Sequence, residues 1–229
     1  MAEAGGQTVD GIRRAVLGGS WRPGERLAPV ALAERFGTSS TVVREALTRL
    51  AGDGLLTWER NRGFFVPELE PRELRDLTEL RCVTEELASR LAVERGDLQW
   101  ESDLIAAHHQ LSRTPRRDQE DPEHIADPWS VAHRSFHAKL LEACASAPMI
   151  RLADNLADST ELYRRWAAPS RGAAERDVEQ EHRDILEAAL ARDASGLAKL
   201  LRRHYERTMH IVLEAGLDVP AAELAAVEK

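Results

Sequence analysis

With 229 residues, 43% hydrophobic and 31% charged, the chain is long enough for one large or two smaller packed domains and has an ordinary composition for a protein with a core. Its net charge of −8 argues against indiscriminate nucleic-acid binding by the whole chain, and no apolar run approaches the roughly 18 residues of a membrane span. The opening MAEAGGQTVDG has neither the basic start nor the apolar stretch of a signal peptide, so a cytoplasmic protein with no membrane partner is expected.

The elements read mostly helical. Residues 8–18 place Val9, Ile12, Val16 and Leu17 on one side of a first helix, which GGSWRPGERL breaks. A short helix at 30–36 ends at Gly37, and TSSTVVREALTRLAGDG supplies hydroxyl caps and a second apolar stripe, Val43, Leu47 and Leu50. LLTWERNRGFFVPEL has β-rich ends around a polar middle and predicts a two-strand hairpin. Pro67 and Pro71 mark a boundary, after which six helices are expected at 72–95, 99–113, 128–145, 148–167, 173–192 and 194–215. The expected fold is mostly α: a winged helix-turn-helix over residues 1–67, then an all-helical six-helix bundle over 72–217. Cys82 and Cys144 fall in helical patterns and are expected reduced and buried.

Charge divides the same way. Residues 1–67 hold nine arginines and seven acidic residues, whereas the remainder holds 22 basic and 32 acidic ones. Two short helices joined at Phe36-Gly37-Thr38, with a hairpin behind, predict a module whose second helix enters the major groove N-terminus first. That brings Thr38, Ser39, Ser40, Thr41 and Arg44 toward DNA, where hydroxyls bond phosphates and arginine pairs with guanine. The hairpin tip, Arg60-Asn61-Arg62-Gly63, is expected to reach backbone or minor groove. Taken alone, Arg44 is equally an ordinary surface arginine.

In the body, His133 and His137 of HRSFH are four apart and share a helix face. His182 sits beside the stripe Ile185, Leu186 and Ala189, and His204 beside Leu200 and Leu201, so both face inward. A bundle can converge such side chains, and imidazoles suit zinc or nickel. The same histidines are also compatible with a hydrogen-bonded core. His108, His109, His124 and His210 do not share this face.

The segments PGERL, LAERFG, VREAL, RLAGDGLL and RGFFV, spread over residues 11 to 67, resemble the DNA-binding head of the GntR superfamily of bacterial regulators. That family's recognition helix often opens Ser-Arg-Thr-Pro-Val-Arg, where this chain reads Ser39-Ser40-Thr41-Val42-Val43-Arg44. The usual base-reading arginine is thus Ser40, and the acidic residue often found before the second helix is Pro29. Arg44 remains a contact residue by the resemblance.

ELRCVTEELASRLA, HRSFHAKLLEA, EHRDILEAALARD and RRHYERT are similar to helices of the FCD effector domain of the FadR subfamily, and six body helices resemble its VanR-like branch. In metal-binding members an aspartate and three histidines hold the ion. The histidine positions fall on His137, His182 and His204, and the aspartate position is His133. A divalent ion on four neutral imidazoles keeps its full charge, which favours an anionic ligand in the open positions. The resemblance implies a homodimeric repressor that binds an inverted-repeat operator in double-stranded DNA. It also implies a small carboxylate effector on a divalent transition metal, zinc or alternatively nickel, with Arg81 pairing the acid. Arg81 can instead pair with Glu85 four residues on. Two other readings stand beside this one. In the first, the metal itself is the signal. In the second the protein is a metal-dependent hydrolase, for which Glu181 and Asp184 flank His182 without sharing its face, and which has no use for a winged head.

Overall fold

The computed structural model describes residues 2–117 and 122–215, with side chains from residue 6 onward. Part of the polar connection, and the expected domain end at 217, lie outside the described residues.

The head begins with α1 (Ala2–Leu17), whose Val9, Ile12 and Val16 are buried. This helix starts six residues before its apolar spacing does. Strand β1 (Arg26–Leu27) precedes α2 (Pro29–Arg35), where Pro29 opens the helix at a position needing no N–H donor. Gly37, at φ 61, turns the chain toward α3 (Ser40–Gly52), and the Ser39 hydroxyl caps α3 by accepting from Val42 N–H at 3.3 Å. Strands β2 (Thr57–Glu59) and β3 (Gly63–Phe65) form the expected hairpin. The sheet has a third strand that periodicity does not reveal: the order is β1-β3-β2, antiparallel, with Arg26 opposite Phe65 and Trp58 opposite Phe64. Two residues carry no alternation, so β1 exists only through its pairing.

The body runs α4 (Pro71–Arg95), α5 (Leu98–Arg113), α6 (Asp127–Glu142), α7 (Ala147–Trp166), α8 (Arg171–Glu175), α9 (Val178–Leu190) and α10 (Ala194–Ala215). Among the described residues it therefore has six helices of 13 residues or more and one single-turn helix, α8. The continuous helix expected at 173–192 is replaced by α8 and α9. Ser170 caps α8 and Asp177 caps α9 by accepting from Gln180 N–H at 3.0 Å, so the chain restarts at Asp177. Arg176 fills the break with its side chain buried. α4 packs on α10 and α7, and α5 on α6. Their shared core includes Phe136, Leu140, Ile185, Leu197 and Leu201. Cys82 and Cys144 are buried and unbridged, and burial pushes the Cys82 thiol up to about 12. Among the described residues no helix is long and apolar enough to cross a membrane.

Head and body share material. Leu162 of α7 belongs to the same buried cluster as Val43, Leu47 and Phe64 of the head, and Trp166 packs against it.

Candidate metal centre and DNA-facing surface

Three helices build the centre. α6 buries Trp129, His133, Phe136, His137 and Leu140 as one stripe; α9 buries His182 with Ile185; α10 buries Leu201, His204 and Tyr205. The apolar stripes that seat each helix thereby aim the four imidazoles at one point. Each offers one ligand atom, and the four atoms all lie within 4.8 Å of one another. Ring centroids are 4.6 Å apart for His133–His137 and 4.9 Å for both His133–His182 and His182–His204. Trp129 stacks on His133 at 4.7 Å, closing one side.

All four rings resist protonation. Burial, then repulsion among the imidazoles and nearby arginines, holds His133, His137 and His182 well below the usual histidine range. His204 is lowered to about 4 by burial and Arg176, against the opposing pull of Glu181. Neutral imidazole is the form that ligates metal.

Hydrogen bonding fixes which nitrogens face the centre. Tyr205 Oη donates to Glu85 and so is left to accept from His137 Nδ1 at 3.1 Å. His137 Nε2 is then directed away from that bond, and it is buried without a hydrogen-bond partner among the described residues, as is His182 Nε2. Glu181 Oε2 lies 2.7 Å from His204 Nδ1, and a carboxylate can only accept, so the Nδ1 proton belongs to that bond. Arg176 Nη2 also lies 3.1 Å from Nδ1, but its own acceptors are the His204 carbonyl at 2.9 Å and Glu181. Bonds from His204 and Arg176 hold the Glu181 carboxyl below the usual carboxylate range despite its burial. Two orphaned buried nitrogens in a four-imidazole cluster fit a divalent transition metal. Left unmet, each such nitrogen costs ~1–3 kcal/mol.

Three of the four, His133, His137 and His204, line a cavity of about 420 Å³. Arg81 lines that cavity with its guanidinium already engaged: Nε donates to Glu85 at 2.6 Å, Nη1 to Thr160 at 2.8 Å, and the plane stacks 4.0 Å from the Tyr205 ring. The alternative Arg81–Glu85 pair is present, and through Glu85 and Tyr205 it reaches His137. Sequence reasoning missed Tyr205, Arg176 and the role of Glu181. Glu181 is off the face of His182, as expected, but it reaches sideways to α10. Asp184 instead accepts from Gln180 at 2.6 Å on the exposed side. His109, His124 and His210 are exposed, and His108 is half-buried against Phe136.

In the head, Val43, Leu47 and Leu50 of α3 are buried, while Ser39, Thr41 and Arg44 are exposed at its N-terminal end and Thr38 and Ser40 are half-buried. At the wing, Arg60 and Arg62 are exposed and Gly63 takes φ 106, closed to other residues without strain. Arg62 pairs with Glu59 and lies 5.1 Å from the Phe65 ring. A side chain at Gly63 would stand 3.5 Å from Arg26 Nε, so β1 adds Arg26 to the wing's basic group.

The FCD domain family matches residues 76–207, and the family described as bacterial regulatory proteins, gntR family, matches residues 5–66. The chain is 36% identical over 210 residues to BphR of Paraburkholderia xenovorans (strain LB400), an HTH-type transcriptional regulator, covering 92% of this chain and 85% of that one. It is 28% identical over 214 residues to the HTH-type transcriptional repressor GlaR of Escherichia coli (strain K12), covering 91% and 96%. The solved structure of E. coli McbR/YncC has the same fold, with a TM-score of 0.78 at 24% identity over 93% of this chain and 99% of that one.

Proposed function

This chain belongs to the gntR family of bacterial regulatory proteins and carries an FCD domain, and on that premise we propose that it is a repressor controlled by a small carboxylic acid bound at a divalent metal. That it is a DNA-binding transcriptional regulator, and not an enzyme, follows from the family. The repressor assignment leans on GlaR, which is named as one.

The observation that carries the effector reading is the buried cluster His133, His137, His182 and His204, of which His133, His137 and His204 line a 420 Å³ cavity. The metal, zinc or nickel by its nitrogen donors, would supply a Lewis-acidic anchor for a carboxylate. Neutral ligands leave its charge uncancelled, so the cavity favours an anion. In the head, α3 is read as the recognition helix, with Arg44 at base edges and Arg60, Arg62 and Gly63 on the backbone.

The operator is an inverted repeat read by a homodimer. Leu80, Val83 and Leu87 lie on one face of α4 and are about half exposed, at 46%, 55% and 52%. A contiguous apolar stripe of this kind supports subunit pairing through the body. Anisotropy titration of the metal-loaded protein on DNA from upstream of its own gene, with and without candidate acids, tests the proposal. Release by an acid only when metal is present is expected. Release on metal addition or removal alone, indifferent to every acid, would favour the metal itself as signal.

A further inference from the structure

The cavity is not confined to the body. Part of its wall comes from α1 of the DNA-binding head, through Asp10, Arg13, Arg14 and Leu17. Six arginines line it, and their engagements differ. Arg13 pairs with Asp158 and Asp53, Arg81 with Glu85, Arg134 with Asp158 and Asp154, Arg164 with Glu161, and Arg165 with Glu161 and Asp127. Arg14 alone among them has no hydrogen bond or ion pair from its side chain to any described residue.

We infer that the effector is an acid with two anionic ends, one on the metal in the body and the other on Arg14 of the head, so that the ligand itself bridges the two domains. The inference rests on the metal-anchored acid proposed above and adds the second anchor. A single small carboxylate on the metal leaves most of a 420 Å³ cavity to water and leaves Arg14 unanswered. A longer diacid answers both and excludes that water.

The consequence for DNA follows from the neighbour of Arg14. Arg13 holds Asp158, which is wholly buried on α7 and also receives Arg134, the residue after His133 on α6. Arg13 also donates to Asp53 at 3.0 Å, and Asp53 is the C-terminal cap of α3. An anion drawn onto Arg14 therefore acts on the turn of α1 that is bonded both to the metal-bearing half of the body and to the recognition helix. Asp10, one turn earlier on this wall, also has no hydrogen bond or ion pair from its side chain to any described residue. It disfavours an anion placed beside it and offers an ammonium a partner, so an ω-amino acid serves as the opposing probe.

The test is calorimetry on full-length, metal-loaded protein with straight-chain diacids of increasing length, monocarboxylic acids of matched length and the corresponding ω-amino acids. In the wild type, one length of diacid should bind about fivefold or more tightly than its matched monoacid. Arg14→Gln should erase that advantage, leave monoacid affinity and melting temperature unchanged, and Arg14→Lys should restore part of it. Equal binding of diacids and monoacids, tighter binding of the ω-amino acid, or an equal loss for both acids in Arg14→Gln overturns the inference while leaving the metal-anchored acid standing. Failure of every acid to bind loaded protein removes both.

Discussion

Glu181 and His204 sit on different helices, α9 and α10, and meet at 2.7 Å through Nδ1 of the imidazole. The carboxylate sets the tautomer of a candidate metal ligand and raises its basicity. Glu181→Gln keeps the shape but replaces an ionised acceptor with a weaker one that can also turn its amide toward the ring. Metal affinity is expected to fall by ~10- to 100-fold, measured by competition with a chromophoric chelator. Affinity equal to wild type would make Glu181 merely a partner of Arg176 and Arg207.

The depressed histidines make the metal-free protein sensitive to acid. Unfolded imidazoles take up protons near pH 6.5, whereas His204 in the fold stays neutral to about 4 and the other three are also well below their usual range. Below 6.5 the unfolded state binds more protons, so this contribution to stability is full above 6.5 and declines as pH falls toward 4. In chelator, the melting temperature should drop between about pH 7 and about pH 5, above the carboxylate range. His182→Gln should flatten the slope. A wild-type melting temperature constant over that interval would mean the rings are solvated.

Arg44→Ala should weaken operator binding by ~1–3 kcal/mol and relax preference at one base pair, in an anisotropy titration over variant operators. Arg60→Ala should instead weaken all sequences alike and lower the salt slope by about 1. Exchange of these two behaviours would place the wing, not α3, at the base edges.

The helices and the four histidines were legible because one-helix periodicity suffices: a 3.6-residue apolar stripe names the inward face, and His133, His137, His182 and His204 lie on such faces. What periodicity omits is reach between helices. Glu181 is off its own helix's inward face, yet its partner is on α10. Asp158 is a fully buried carboxylate whose partners, Arg13 and Arg134, stand 145 and 24 residues away. The break between α8 and α9 is held by Arg176 through Glu181, the Thr208 hydroxyl at 2.7 Å and the His204 carbonyl, all contacts that exist only after folding.

His133→Asp separates charge from ligation. Aspartate still ligates, so metal should remain bound. It also cancels one unit of the site's positive charge, and a carboxylic acid on the metal should bind more weakly, by ~1 kcal/mol or more in a partly dry cavity. Calorimetry with metal and then acid measures both. Loss of the metal, or acid binding equal to wild type, would contradict this.

The four-histidine centre is tested most directly by metal content and melting temperature, with and without chelator, in wild type and His137→Ala. Wild type should carry a divalent transition metal and lose thermal stability when it is stripped. His137→Ala should carry less metal and melt at nearly the same temperature with or without chelator. Equal metal content in the two proteins, with melting temperatures that chelator leaves unchanged in both, would show that HRSFH holds only a pair of core histidines.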